Sequence, residues 1–350
     1  MKKRLVSLDV ARTFAILCVI STHATENTYP MDISMNAPDF PVVSRQIALA
    51  LHILGRLGVP IFFMLTGYLL LNREYDTEKT KKFWKRNFFG VTLATVIWIG
   101  LYFWFNCWFK EVPFKGDDLT RQLLLLANPY CNHLWYMYQI VGIYLFLPFI
   151  ANALKSVDKK LTIFPMIVAF LYLFIPPMLN VYYSIEQEPT ISVMPNFSFI
   201  GGTYGLLIIL GWMVKQGFFD KIKTIFFFII AIAGYWYTWH FELYAYQHNI
   251  AYNVWYDSAS LVIASFSLFM IFTRLKHIPC KWLFTIISKC SFGIYLCHNM
   301  FMMWFAKNLE IQSHIQKEWR LIVYTFVCSF IVVFLVSRIK LLGRILFFTH

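Results

Sequence analysis

Apolar runs recur ten times along this chain, at roughly 8–24, 47–71, 88–109, 134–151, 161–176, 199–214, 224–240, 258–273, 284–306 and 321–337. Each approaches or exceeds the length a helix needs to cross the ~30 Å hydrocarbon core of a bilayer. Hydrophobic residues make up 59% of the 350 and charged residues only 14%, with a mean hydropathy of +0.58. A water-soluble fold of this length cannot hide that much apolar surface, so lipid is the solvent for most of it. The expected fold is all-α: a polytopic integral membrane protein with about ten transmembrane helices in a single domain over 1–350. Two runs are irregular. The run at 161–176 is expected to end at Pro176-Pro177, and the run at 284–306 carries Lys289 and is expected to open with an interfacial turn.

The net charge of +13 does not indicate nucleic acid, because the cations sit in short loops between apolar runs and form no basic domain. With the N-terminus placed in the cytoplasm, the inner segments hold 21 Lys and Arg and the outer loops 7. That asymmetry follows the positive-inside rule, and an even number of spans puts both termini on the cytoplasmic side. The remaining three, Arg12, Arg56 and Lys289, lie within spans. Lys2-Lys3-Arg4 ahead of an apolar run resembles the start of a signal peptide, but Asp9 and Arg12 interrupt the run and a retained first helix is expected. The basic segment Lys79 to Arg86 is topogenic and lipid-binding, with the phosphates of a cytoplasmic cofactor as its other reading. The outer loops carry Asp32, Asp39, Asp117, Asp118, Glu186, Glu188, Glu242 and Asp257, and the aromatics at 235–239 fit an interfacial belt. Seven cysteines form no C-x-x-C pair and lie mostly in apolar runs, which argues against a disulfide framework or a zinc site.

Ionisable groups inside spans are costly and therefore mark function. In the first span, eleven residues separate Arg12 from His23, about 1100° of helical rotation, so the two share a face to within about 20°. Asp9 falls within about 40° of that face. The second span carries His52 and Arg56 one turn apart, ahead of Gly58-Val59-Pro60 and Gly67-Tyr68. A guanidinium as deep as Arg56 requires an anion, either a carboxylate such as Asp9 or a ligand phosphate; His52 reads as a satisfied core histidine. His133-Leu134-Trp135 opens the fourth span, and Gly293-Ile294-Tyr295-Leu296-Cys297-His298 lies in the ninth. The topology puts His23, His133 and His298 together in the outer half of the membrane, where imidazoles suit general-base activation of a hydroxyl. No metal is expected, since no ligand spacing supports one. The H-x-x-x-x-D acyltransferase pattern, a G-x-S-x-G elbow, a P-loop and a dinucleotide fingerprint are all absent.

Several strings together resemble membrane-bound acyltransferase family 3, the sugar O-acyltransferases of bacterial envelopes. They are Ser7-Leu8-Asp9-Val10-Ala11-Arg12 through His23, Gly55-Arg56-Leu57-Gly58-Val59-Pro60-Ile61-Phe62-Phe63-Met64-Leu65-Thr66-Gly67-Tyr68, His133-Leu134-Trp135, and Ser291-Phe292-Gly293-Ile294-Tyr295 with His298. Thr66 stands where the family usually has Ser. Within the family, the His-Leu-Trp string and a chain read as one domain without a periplasmic partner look most like the enterobacterial-common-antigen O-acetyltransferase branch. The resemblance implies no bound cofactor, an acyl-CoA donor (usually acetyl-CoA) on the cytoplasmic side, and an acceptor hydroxyl on an envelope glycan outside. It implies a multi-pass protein of the bacterial inner membrane whose partners are lipid, acyl-CoA and glycan. It also implies that His23 is catalytic, as base or as acyl carrier, and that Arg12 and Arg56, supported by Asp9, serve the donor. His133, Trp135, Tyr295 and His298 are then expected on the acceptor side. A transporter or flippase of a lipid-linked glycan or small anion is the alternative, since intramembrane Arg and His suit an ion pathway equally well.

Overall fold

The computed structural model describes residues 4–37, 40–111, 113–128, 131–309 and 313–348, and among them there is helix and no strand. Lys2, Lys3 and Asp39 lie outside the described residues. Fourteen α-helices follow in order: α1 (Val6–Glu26), α2 (Val42–Arg56), α3 (Gly58–Leu70), α4 (Thr77–Phe83), α5 (Phe89–Phe109), α6 (Gly116–Leu123), α7 (Trp135–Ser156), α8 (Ile163–Ile185), α9 (Gly202–Lys215), α10 (Thr224–Gln247), α11 (Ala259–Thr273), α12 (Lys281–Asn308), α13 (His314–Val336) and α14 (Lys340–Phe347). Among the described residues, seven segments are long and apolar enough to cross a membrane: α1, α2–α3 as one unit, α4–α5 as one unit, α7, α8, α10 and α13. α9 and α11 are shorter apolar helices. α12 has 28 residues, about 42 Å at helical rise, but carries Lys281, Lys289 and Lys307.

Two elements depart from the sequence reading. α8 does not stop at Pro176-Pro177 but runs through both to Ile185. Prolines are tolerated inside membrane helices because neighbouring helices and local adjustment satisfy the carbonyls they free. α12 opens as regular helix from Lys281, with no separate interfacial turn.

α1 lies at the centre, packed against α2, α3, α11, α12 and α13. Of the most apolar window of α1, 61% is buried inside the protein, and of that over α2–α3, 72%; the figure for α8, α10 and α13 is 22%. The outer helices instead expose apolar rows such as Ile225, Phe226, Phe228, Ile229 and Ile232, a surface fit for lipid. The close approach of the central helices has a sequence cause. A Cβ at Gly55 would stand 2.1 Å from the Thr22 hydroxyl, and Gly67 and Gly211 press backbone to backbone between α3 and α9. Without a hydrophobic force between helices in lipid, such small residues are what let backbones meet. Pro60 then ends the α2 hydrogen-bond pattern, so the chain bends at Leu57 and leaves His52 and Arg56 on the last turns of α2, beside the C-terminal end of α1.

Candidate active site

The polar stripe on α1 faces α7 and α12, and those two helices answer it in register. His133 lies just ahead of α7 with Tyr136 three residues on; Tyr295 and His298 are three apart on α12. One helical turn therefore separates a layer of imidazoles from a layer of phenols.

The imidazole layer surrounds the C-terminal end of α1. The His23 and His298 rings stack with centroids 5.4 Å apart, His133 and His298 meet edge-on at 4.9 Å, and His23 lies 6.1 Å from His133. His23 Nδ1 is 2.8 Å from a Glu26 carboxylate oxygen. A carboxylate only accepts, so Nδ1 carries the hydrogen and the neutral ring keeps its lone pair on Nε2. His298 Nδ1 donates to the Tyr295 carbonyl at 2.7 Å, which leaves Nε2 as a buried acceptor with no hydrogen-bond partner among the described residues. His133 Nδ1 sits 2.8 Å from the Cys131 sulfur and 3.4 Å from the Asn299 amide, and its Nε2 is likewise buried without a hydrogen-bond partner among the described residues. Orphaned polar atoms are costly in a low-dielectric interior, which marks both imidazoles as candidates for function. His23, Glu26 and His133 line a cavity of about 390 Å³ whose rim carries Lys110 and Lys307.

Behind His23 runs a chain of charges. The other Glu26 oxygen accepts from Arg56 Nη2 at 2.8 Å. Arg56 also donates through Nε to His52 Nε2 at 3.2 Å and through Nη1 to the Tyr256 hydroxyl at 3.3 Å, and its guanidinium lies 4.6 Å from the Trp255 ring centroid. His52 stands 3.7 Å from both Glu26 and Glu242, and Glu242 is fully buried. Arg56 is thus anchored at the His23 end of α1 by Glu26, and neither Asp9 nor Arg12 is near it. The anion expected for Arg56 is a carboxylate, and it is Glu26, not Asp9. Glu26 is fourteen residues from Arg12 on one helix, about 21 Å, so Arg56 cannot share a ligand phosphate with Arg12.

The other end of α1 opens into a cavity of about 710 Å³. Arg4, Arg12, Lys289 and Arg338 line it together with Thr66, Tyr136, Tyr144 and Tyr295. Asp9 accepts two hydrogen bonds from Arg4, at 2.7 and 2.6 Å, and further ones from the Ser288 hydroxyl at 2.7 Å and the Thr285 hydroxyl at 3.3 Å. The carboxylate is saturated, so Asp9 holds Arg4 in place and does not pair with Arg56. Arg12 makes no hydrogen bond or ion pair with a described residue. A guanidinium left without a partner at a basic cavity is a site for phosphate or carboxylate.

Arg12 and His23 share a face of α1 yet line different cavities. The phenol layer stands between them. Tyr136 and Tyr295 meet edge-on at 5.4 Å, and the Tyr295 hydroxyl donates to the His133 carbonyl. Tyr295 lines the basic cavity while His133 lines the other, so this hydrogen-bonded pair joins the walls of the two cavities. Trp135 is not a wall of the His23 cavity; it packs on Tyr204, Trp255 and Tyr256, each at 5.4 Å. Among the described residues no group of three or more His, Cys, Asp or Glu is placed to hold a metal ion.

Sequence reasoning missed three residues. Glu26 follows His23 by three positions, a spacing that puts it on the same helical face, and that signal was available. Arg4 was legible only as a topogenic charge. Glu318, fully buried and accepting from the Thr25 hydroxyl at 2.5 Å, falls on the first turns of α13, which begins at His314, seven positions ahead of the apolar run at 321–337.

Set against known proteins, the sequence model of a family described as an acyltransferase domain, acyltransferase family 3, matches residues 5–338. The chain is also 28% identical over 170 residues, 47% of its own length, to a protein of Enterococcus faecalis named amino-acid racemase. That match spans 21% of the Enterococcus protein, so the chain covers about a fifth of the relative's length. No solved structure matches.

Proposed function

Because this chain belongs to acyltransferase family 3, a match that supports a multi-pass membrane acyltransferase, we propose that it moves an acyl group, foremost acetyl, from cytoplasmic acyl-CoA to a hydroxyl of a cell-envelope polysaccharide or glycolipid on the outer side. Counting α9, α11 and α12 with the seven long apolar segments gives ten crossings of the bacterial inner membrane, with both termini and the Arg12 cavity facing the cytoplasm. Arg12, with Arg4, Lys289 and Arg338, takes the phosphates of the donor, and Asp9 positions Arg4. Arg56 holds Glu26, and Glu26 orients His23.

One observation carries the reading: Glu26 fixes the hydrogen of His23 on Nδ1 and leaves the Nε2 lone pair available at a cavity. A carboxylate that orients an imidazole is the arrangement general-base catalysis requires. In direct transfer, Nε2 takes the proton of the acceptor hydroxyl as the oxygen attacks the thioester carbonyl. The carbon–sulfur bond breaks, the ester forms, and the proton passes to the leaving thiolate to give free CoA thiol. In the covalent variant, Nε2 attacks the thioester carbonyl and the carbon–sulfur bond breaks to release CoA thiolate; the acceptor oxygen then displaces the imidazole from the acyl group while its proton passes to His133 or His298 Nε2 and on to the thiolate. In either variant His133 Nε2 and His298 Nε2 are the partners waiting for the acceptor hydroxyl, and Trp135 and Tyr295 brace that side.

The test is His23→Ala in the intact chain, followed by mass spectrometry of cell-surface glycans with the enterobacterial common antigen examined first. Loss of the acetyl increment with the protein still in the membrane is expected. Glycans that remain acetylated to the same extent reject the assignment.

A further inference from the structure

A second pair of cavities lies outside the site just described. Between α7 and α9 runs an apolar groove of about 670 Å³, lined by residues such as Leu71, Phe146, Phe149, Ile150, Ile208 and Ile209. Its α7 wall extends from Gln139 to Ala153, fourteen residues or about 21 Å of helix, more than the ~15 Å depth of one leaflet's hydrocarbon. Phe146 and Phe149 are 57% and 56% exposed, so the groove opens sideways toward lipid. Gly142 sits in the middle of this wall, and a Cβ built there meets nothing within 4 Å. No packing contact calls for glycine at that helical position, and the space it leaves is the groove.

At its Gln139 end the groove is continuous with a polar cavity of about 350 Å³, because Gln139, Ser198 and Gly201 line both. The polar cavity adds Thr203, Tyr204, Trp255 and Asp257. Among the described residues lining it there is no Lys or Arg, and it carries one carboxylate. That lining disfavours a phosphate head group and suits an uncharged one rich in hydroxyls: aromatic faces to stack on, and carboxylate, amide and hydroxyl groups to bond. Tyr204 and Trp255 both pack on Trp135, two positions from His133. Trp255 also lies over Arg56, the residue that holds Glu26.

We infer that these joined cavities bind a glycolipid, with one hydrocarbon chain along the α7–α9 groove and an uncharged sugar head against Tyr204, Trp255 and Asp257, presented to the imidazole layer. The inference rests on the reading of the His23 end as the acceptor side and names the acceptor's class: a glycan still carried on lipid.

The experiment uses the full-length protein in lipid nanodiscs and two photoactivatable probes with the same diazirine-bearing hexadecyl chain, one a hexadecyl glucoside and the other a phosphatidylglycerol. The glucoside is expected to label α7 and α9 peptides and to be competed by unlabelled hexadecyl glucoside. The phosphatidylglycerol is expected to label the exposed faces of α8, α10 and α13 instead. Gly142→Trp, whose side chain enters open space, should cut glucoside labelling roughly tenfold, equivalent to about 1.4 kcal/mol; Ala153→Trp fills the far end as a second variant should the first fail to fold. Equal labelling of the groove by both probes, or labelling unchanged in the folded variants, overturns the inference. The two readings fail separately: glycan acetylation that survives His23→Ala removes the proposed function while leaving the photolabelling result in place, and acetylation lost in His23→Ala but intact in Gly142→Trp removes only the glycolipid groove.

Discussion

The two ends of α1 are built from the same components and reach opposite states. At the Arg12 end, Asp9 is saturated by Arg4, Ser288 and Thr285, and the next arginine along the helix is left without a partner at a basic cavity. At the His23 end, Glu26 stands between His23 and Arg56 and engages both, so the arginine there is paired. The difference lies in who holds the carboxylate. A carboxylate consumed by one arginine frees the next for an external anion, while a carboxylate shared between arginine and imidazole fixes a tautomer. The first arrangement binds; the second aims a base.

The largest effect that would sharpen this contrast is at Glu26. Glu26→Gln keeps the size of the side chain but removes the charge that fixes His23, and transfer should fall about a hundredfold in kcat with the KM for acyl-CoA unchanged. A rise in KM without loss of kcat would mean that Glu26 belongs to donor binding and that the two ends are not distinct. Next comes the comparison of the arginines. Arg12→Ala should raise the KM for acyl-CoA about tenfold or more, the loss expected of one charge-assisted hydrogen bond, whereas Arg56→Lys should lower kcat and leave that KM in place. Equal KM effects from both would return Arg56 to the donor site, against the geometry. Smaller again is the partition. Tyr295→Ala removes the ring between the cavities and its bond to the His133 carbonyl, so acyl-CoA hydrolysis without acceptor should rise several-fold, roughly 1 kcal/mol of lost gating; unchanged thiol release would show that the phenol layer does not separate donor from acceptor. The smallest is Asp9→Asn, which loosens Arg4 and should weaken acyl-CoA binding only about threefold, well short of a full ion pair because Arg4 is 43% exposed.

Some of this was readable before any coordinates. The sharing of a face by Arg12 and His23 followed from helical arithmetic alone, whereas the close backbone contacts at Gly55, Gly58 and Gly67 appear only in the fold. The meeting of His23, His133 and His298 followed from topology, because alternating spans bring distant segments to one side of the membrane. The passage of α8 through Pro176-Pro177 was not readable, since a proline pair stops a helix in water but is accommodated among packed neighbours in lipid.

The sequence by itself determined which residues are charged inside the apolar spans, which face of α1 they share, and that lipid surrounds them, because those properties depend on composition and on a fixed helical period. Only the tertiary structure decided who partners whom: Arg56 with Glu26, Asp9 with Arg4, and Tyr295 between the two cavities. Partner choice depends on distances of a few ångströms between helices far apart in the chain, and no local period encodes those.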